Sequence, residues 1–219
     1  DTTFSNIVIQ ASDAQNQDAS ITIQLNITVV PQISRSLRFN SADSTYLTRT
    51  PTSAGNRNIY TYSFWTKRSK LGTAQIIFDA NVSGTSSPRD TWNFTANDEI
   101  DVGFNIGGGA WVDAITVPLF RDINAWYHVV IAVDTTQATA SNRVKIYVNN
   151  VLQAMTAGST YPAQNANTTI NSTNSHSIGR YGASNANYFD GYMAEVNFID
   201  GQALTPASFG TINTITGVW

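Results

Sequence analysis

The sequence predicts an all-β chain: an antiparallel β-sandwich preceded by an N-terminal β-hairpin. Three observations carry this. Apolar residues alternate at period two in many short stretches separated by Gly, Asn, Ser and Pro clusters. Charged residues make up only 12% of the chain, while Val, Ile, Thr and aromatic residues are abundant. That balance suits pleated, half-buried strands rather than helices. Finally, 219 residues with about a dozen such stretches fit a sandwich or jelly roll of ordinary size.

Composition also excludes several classes. A net charge of −3 without any basic run gives no electrostatic footprint for nucleic acid. The absence of cysteine removes disulfides, thiolate metal sites and thiol nucleophiles. No apolar run approaches the roughly 18 residues of a membrane-spanning helix. Asp1 in place of an initiator methionine suggests processing or a fragment of a longer protein.

Two units are expected, 1–33 and 36–219, joined around Pro31. In the first, strands over 4–11 and 19–30 form a hairpin. Ile21, Ile23, Leu25 and Ile27 share one face of the second strand. A lone hairpin is marginal in water, so this face is an assembly surface. In the second unit, short strands are expected at 36–40 and 45–48, and a long one at 59–68. Others follow at 74–80, 91–95, 100–106 and 111–117, with Gly107, Gly108 and Gly109 turning the chain between the last two.

The centre is Trp126 to Asp134 followed by Val144 to Asn150. Val129, Ile131 and Val133 oppose Val130 and Ala132, so both faces are apolar and the strand lies inside a sheet. Residues 135–142 join the pair, and Asn149-Asn150 suits a turn with positive φ. Residues 155–174 read as a long surface loop. Strands at 177–180 and 189–199 follow. Thr205 and Pro206 start a helical turn or two that Gly210 ends.

Ile9 to Gln17 through Leu25 to Val29 resembles the last two strands of a cadherin-like or immunoglobulin-like module. Across 36–209 an ordered set resembles the laminin-G-like, concanavalin A-like lectin superfamily. The set is Tyr62 to Lys67, Trp126 to Val130, Val144 to Asn150, Ile178-Gly179 and Phe189 to Val196. Ala194 departs from the pattern, which often has an acid there. Glu195 to Pro206, Phe209-Gly210 and Thr216 to Trp219 resemble a subgroup common in bacteriophage structural proteins. The resemblance implies a concanavalin A-like jelly roll on a virion surface, in a capsid fibre, capsid decoration or tail fibre. Partners would be other virion proteins, copies of itself and host glycans. The alternative is a free-standing lectin module.

Candidate chemistry is sparse. Glu99-Ile100-Asp101 begins the Glu-x-Asp-x-Glu strand of related glycosidases, but Gly103 stands where the second glutamate would be. Hydrolysis needs two flanking carboxyl groups, so no enzyme is expected; Asp98 and Glu99 read as a turn before a strand. His128 and Asp134 share a face but lie about 20 Å apart along a strand, and His128 reads as structural. The resemblance implies a rim calcium, with Asp79 and Asn81 as one donor set and Asp190, Asn185 and Asn187 as another. Those residues are equally ordinary turn formers. Trp111, Trp92, Tyr181 and Tyr188 could stack on sugar rings; Trp111, Tyr181 and Tyr188 form the ligand-binding candidate set. Trp65 and Trp126 read as core.

Overall fold

The computed structural model describes residues 7–12 and 18–23 as backbone strands, and residues 33–82 and 87–219 with their side chains. The chain divides into two compact units, Asp1–Ile33 and Ser34–Trp219. In the first, β1 (Ile7–Ser12) pairs antiparallel with β2 (Asp18–Ile23), setting Ile21 opposite Ile9 and Ile23 opposite Ile7. Leu25 and Ile27 lie outside the described residues.

The second unit is a sandwich of two six-stranded antiparallel sheets. Its strands are β3 (Leu37–Phe39), β4 (Leu47–Arg49), β5 (Ile59–Arg68), β6 (Gln75–Asn81), β7 (Arg89–Phe94), β8 (Ile100–Asn105) and β9 (Val112–Ile115). They continue as β10 (Tyr127–Asp134), β11 (Val144–Val148), β12 (Val151–Leu152), β13 (Ser175–Ile178) and β14 (Gly191–Asp200). The first sheet runs β12-β11-β10-β5-β14-β3 and the second β4-β13-β6-β7-β8-β9. Asn149 and Asn150 both take positive φ, 49° and 70°, in the two-residue turn joining β11 to β12, the geometry such tight hairpins require.

The core lies between the sheets. Tyr60, Tyr62, Phe64, Val129, Ile131 and Val133 from one side meet Phe78, Trp92, Phe94, Val102 and Phe104 from the other, all buried. Tyr62 stacks on Phe78 with centroids 4.7 Å apart, and Trp92 meets Tyr62 edge-on at 5.8 Å. Trp92 is fully buried and so cannot meet a sugar. Truncating such a ring costs about 3–5 kcal/mol. Trp65 and Trp126, expected inside, are half-buried. Trp65 neighbours the interior residue Phe64, so the pleat turns it to the outer face of the first sheet, where it stacks on His128 at 4.9 Å.

That outer face is covered by the chain's own C-terminal segment. The Thr61 hydroxyl donates to the Gln202 carbonyl and accepts from the Leu204 N–H, both at 2.7 Å. Phe209 and Trp219 pack on His128 at 6.3 and 5.6 Å. The cover explains why Val130 and Ala132 are apolar: they too are buried. Within this segment only one 3-10 turn forms, Pro206–Ser208 with Pro206 at its start, and Thr205 makes no side-chain cap.

The loop 155–174 is not simply superficial. Thr168, Thr169, Ile170 and Ser172 are buried. Asp90, fully buried, accepts the backbone N–H groups of Thr169 and Ile170, and the Tyr60 hydroxyl donates to Thr168 Oγ1 at 3.0 Å. The same loop covers the outer edge of β9, where the Thr156 and Thr160 N–H groups donate to Ile115 and Asp113. An open edge would otherwise invite pairing with another chain.

Candidate functional site

The outer face of the second sheet carries polar side chains from consecutive strands. Thr48, Ser177, Asp79, Thr91, Gly103 and Asp113 stand opposite one another from β4 to β9. Two glycines shape this face by what they leave out. A Cβ on Gly103 would collide with the Trp111 indole. The ring therefore lies over the strand at Gly103, the position where the Glu-x-Asp-x-Glu pattern has its second glutamate. A Cβ on Gly182 would press into Asp79 at 3.0 Å and into the Asn81 amide. The loop after β13, closed by the Tyr181 and Ala186 backbones, thus comes down directly onto β6.

These close approaches gather an aromatic and cationic stack. The Arg89 guanidinium sits 4.9 Å from the Trp111 ring centroid and 4.6 Å from that of Tyr181, and donates to the Tyr181 hydroxyl. Sequence reasoning picked the two rings, 70 residues apart, but missed the arginine between them. Its signal was its place at the start of β7, opposite Asn81. Trp111 and Tyr181 are both half-buried, so each keeps ring surface at the solvent boundary. Tyr188 does not join them: its ring neighbour is Tyr46, 6.5 Å away at the β4 side, and the Arg180 guanidinium lies 3.5 Å from Tyr46.

Asp79 anchors the stack from below. It is fully buried, and burial pushes its carboxyl above the usual range. Thr91 donates to one oxygen at 2.7 Å, and Asn81 and the Gly182 N–H donate to the other at 2.6 and 3.0 Å; these donors and Arg89 pull the pKa back. Calcium needs six to eight oxygen ligands. Here both Asp79 oxygens already accept protein donors, and Asn81 offers its amide hydrogens. The pair as built is a hydrogen-bonded unit that does not fit a calcium ion. In the second expected set, Asp190 accepts from the Ser41 hydroxyl at 2.8 Å and Asn187 gives its carbonyl to Ile76. Among the described residues no group of three or more His, Asp or Glu is placed to hold a metal.

Beside Trp111 lies an acidic corner. Burial, then Asp113 and Glu99, push the Asp101 carboxyl up to about 7. Asp98 forms the turn before β8 with φ 70°. It is buried there against Arg68 at 2.9 Å, with Arg121 at 3.1 Å. His128 sits on the opposite sheet with its two nitrogens engaged, Nε2 with Ser63 Oγ at 2.9 Å and Nδ1 with the Trp219 indole N–H at 2.8 Å. It is structural.

The profile of the concanavalin A-like lectin/glucanases superfamily matches residues 39–208. The chain belongs to this superfamily. Several solved structures align at low identity. A heptameric SAP-like pentraxin from Limulus polyphemus aligns at 15% identity and TM-score 0.50, over 78% of this chain and 76% of that one. The NanB sialidase of Streptococcus pneumoniae aligns at 14% and 0.54, over 81% of this chain and 27% of its own. Domains LG4-5 of the mouse laminin alpha1 chain align at 13% and 0.50, over 85% and 46%. No curated protein sequence matches. These likenesses show the fold.

Proposed function

We propose that this chain is a non-enzymatic glycan-binding module that takes a sugar on the outer face of its second sheet. The observation that carries the reading is the Trp111–Arg89–Tyr181 stack on a polar face, beside Asp101 and Asp113. Aromatic rings cover the apolar face of a pyranose, while carboxylates and amides receive its hydroxyls. Trp111 over Gly103 supports the absence of hydrolysis, because the ring fills the place of a second carboxylate. A glycan array with the full chain tests this. Binding that Trp111→Ala abolishes, with no release of reducing sugar, is the expected result. Hydrolysis that Asp101→Asn removes would overturn the non-enzymatic half.

Further, we place the module on a bacteriophage virion, as part of a capsid fibre, decoration or tail fibre. The support is the resemblance of the Glu195 to Trp219 stretch. The N-terminal hairpin, with Ile21 and Ile23 on β2 and Leu25 and Ile27 beyond it, is the attachment surface to neighbouring virion proteins or copies of the chain. Antibodies against the chain should decorate intact particles of the phage that encodes it, and the double change Ile23→Asp, Leu25→Asp should detach it. The second reading, a free-standing lectin, is favoured by the superfamily membership alone. It expects a monomer in sedimentation and unlabelled particles.

A further inference from the structure

Granted the glycan-binding reading above, the charges around the Trp111–Arg89–Tyr181 stack decide which sugars it takes. Arg89 is the cation of the stack, and its charge is already balanced. Burial lowers its pKa, and the buried Asp79 carboxylate draws it back up. Arg180, next to Tyr181 in the chain, lies over Tyr46 on the β4 side instead, 3.5 Å from that ring's centroid.

The β8–β9 side of the stack is acidic and unbalanced. Asp113 stands on β9 opposite Gly103, the residue under the Trp111 ring, one strand spacing of about 4.8 Å away. Asp101 shares that face of β8, about 6.6 Å along the strand from Gly103. Glu99 acts on Asp101 from the start of the strand. All three residues are half-buried. Among the described residues none of them forms an ion pair with a Lys or Arg. The 155–174 loop, which borders β9, carries no charged side chain. Burial, then Asp113 and Glu99, raise the Asp101 carboxyl to about 7. The same two charges would oppose any anion brought to the Trp111 ring.

From this arrangement we infer that the glycan face selects uncharged sugars and rejects acidic ones, with Asp113 as the discriminating residue. Carboxylates accept the hydroxyl protons of a neutral sugar. A uronate, sialate or sulfate group has no proton to give and meets like charge, and such juxtaposition is how a surface turns away a wrong partner.

The test applies the full chain to an array that prints neutral oligosaccharides beside their acidic counterparts. One set is N-acetyllactosamine with its sialylated and sulfated forms; another is xylotetraose with its glucuronate-substituted form. Neutral members should be retained, and acidic members bound more weakly by about three- to tenfold for each carboxylate they face. The gap should shrink in high salt, as screening requires and steric exclusion does not. Asp113→Asn keeps the side chain's size and should narrow the neutral-to-acidic ratio by about three- to tenfold. Glu99→Gln, further from the ring, should narrow it less. Equal or tighter binding of the acidic members, a gap indifferent to salt, or a ratio that Asp113→Asn leaves unmoved would each overturn the selectivity while the glycan reading stands. Silence across every set would overturn the glycan reading and the selectivity with it. Should Asp113→Asn fail to fold, Glu99→Gln carries the same comparison.

Discussion

Acidification should loosen the C-terminal cover through one histidine. Burial holds His128 down to about 4, against 6.5 for a free side chain. The Trp219 indole can only donate, so Nδ1 of His128 must accept, and the ring is neutral with its proton on Nε2 toward Ser63. A histidine whose folded pKa is depressed stabilises the fold fully above the unfolded pKa. Between pH 6.5 and 4 the unfolded chain takes up the proton first and that stability is lost, about 3 kcal/mol in all. Asp90 and Asp101, each raised to about 7, act with the opposite sign in the same range. A single melt would therefore mix the three. The comparison that isolates His128 is wild type against His128→Asn, whose amide oxygen can still accept the indole N–H but does not titrate. All five tryptophans lie in the 34–219 unit, so tryptophan fluorescence in urea reports the sandwich alone. Wild type should lose about 3 kcal/mol relative to the variant between pH 7.5 and 4. A stability gap that stays flat within about 0.5 kcal/mol over that range would refute the tautomer and the latch together.

Other perturbations follow from contacts already described. Gly103→Ala should cost roughly 1–3 kcal/mol by forcing the Trp111 ring off β8, and glycan retention on an affinity column should fall with it. Arg68→Ala leaves the buried Asp98 carboxylate with the exposed Arg121 as its one ion-pair partner among the described residues, beside the Gly72 N–H; urea titration should show a loss of roughly 3–5 kcal/mol, whereas Arg121→Ala should cost under about 1 kcal/mol. Asp90→Asn keeps an oxygen for the Thr169 and Ile170 N–H groups without a buried charge. Because the Asp90 carboxyl is raised to about 7, its burden grows as pH rises from 3.8 to 7 and then levels off. The variant should gain on wild type by about 2–4 kcal/mol at pH 8 and converge with it near pH 3.5.

Strands were the legible part of this sequence, and for a physical reason. Period-two alternation is a direct image of the pleat, so Ile59 to Arg68 and Val144 to Val148 announced themselves with their bounds. Likewise Asn149-Asn150 named its own turn. Alternation does not say which face is interior when both are covered. Tyr62, Phe64 and Trp65 look alike in sequence, yet the pleat sends Trp65 outward under a cover that begins over 130 residues later. The 155–174 loop misled for a related reason: its buried threonines are polar, and partners distant in sequence, Asp90, Tyr60 and Arg57, make their burial tolerable. At the candidate site, Trp111 and Tyr181 were visible as aromatic residues in loops. Their meeting was not, because it depends on Arg89 and on two glycines whose role is an absent Cβ. The lost glutamate at Gly103 was visible, but not that an indole had taken its place.

The cover over the first sheet also has an arithmetic consequence. If the outer face of the second sheet takes a glycan as proposed, then among the described residues the tail that packs on the first sheet leaves the 34–219 unit one such face per copy. Any avidity toward a repetitive glycan coat must then come from the number and spacing of copies rather than from a second epitope on the fold. Where two copies are held within reach of one polymer, the second engagement is governed by an effective concentration rather than by a new contact, and can raise retention by about 10²–10⁴. Under that proposal, clustering these chains is a stronger lever on glycan retention than refining one site.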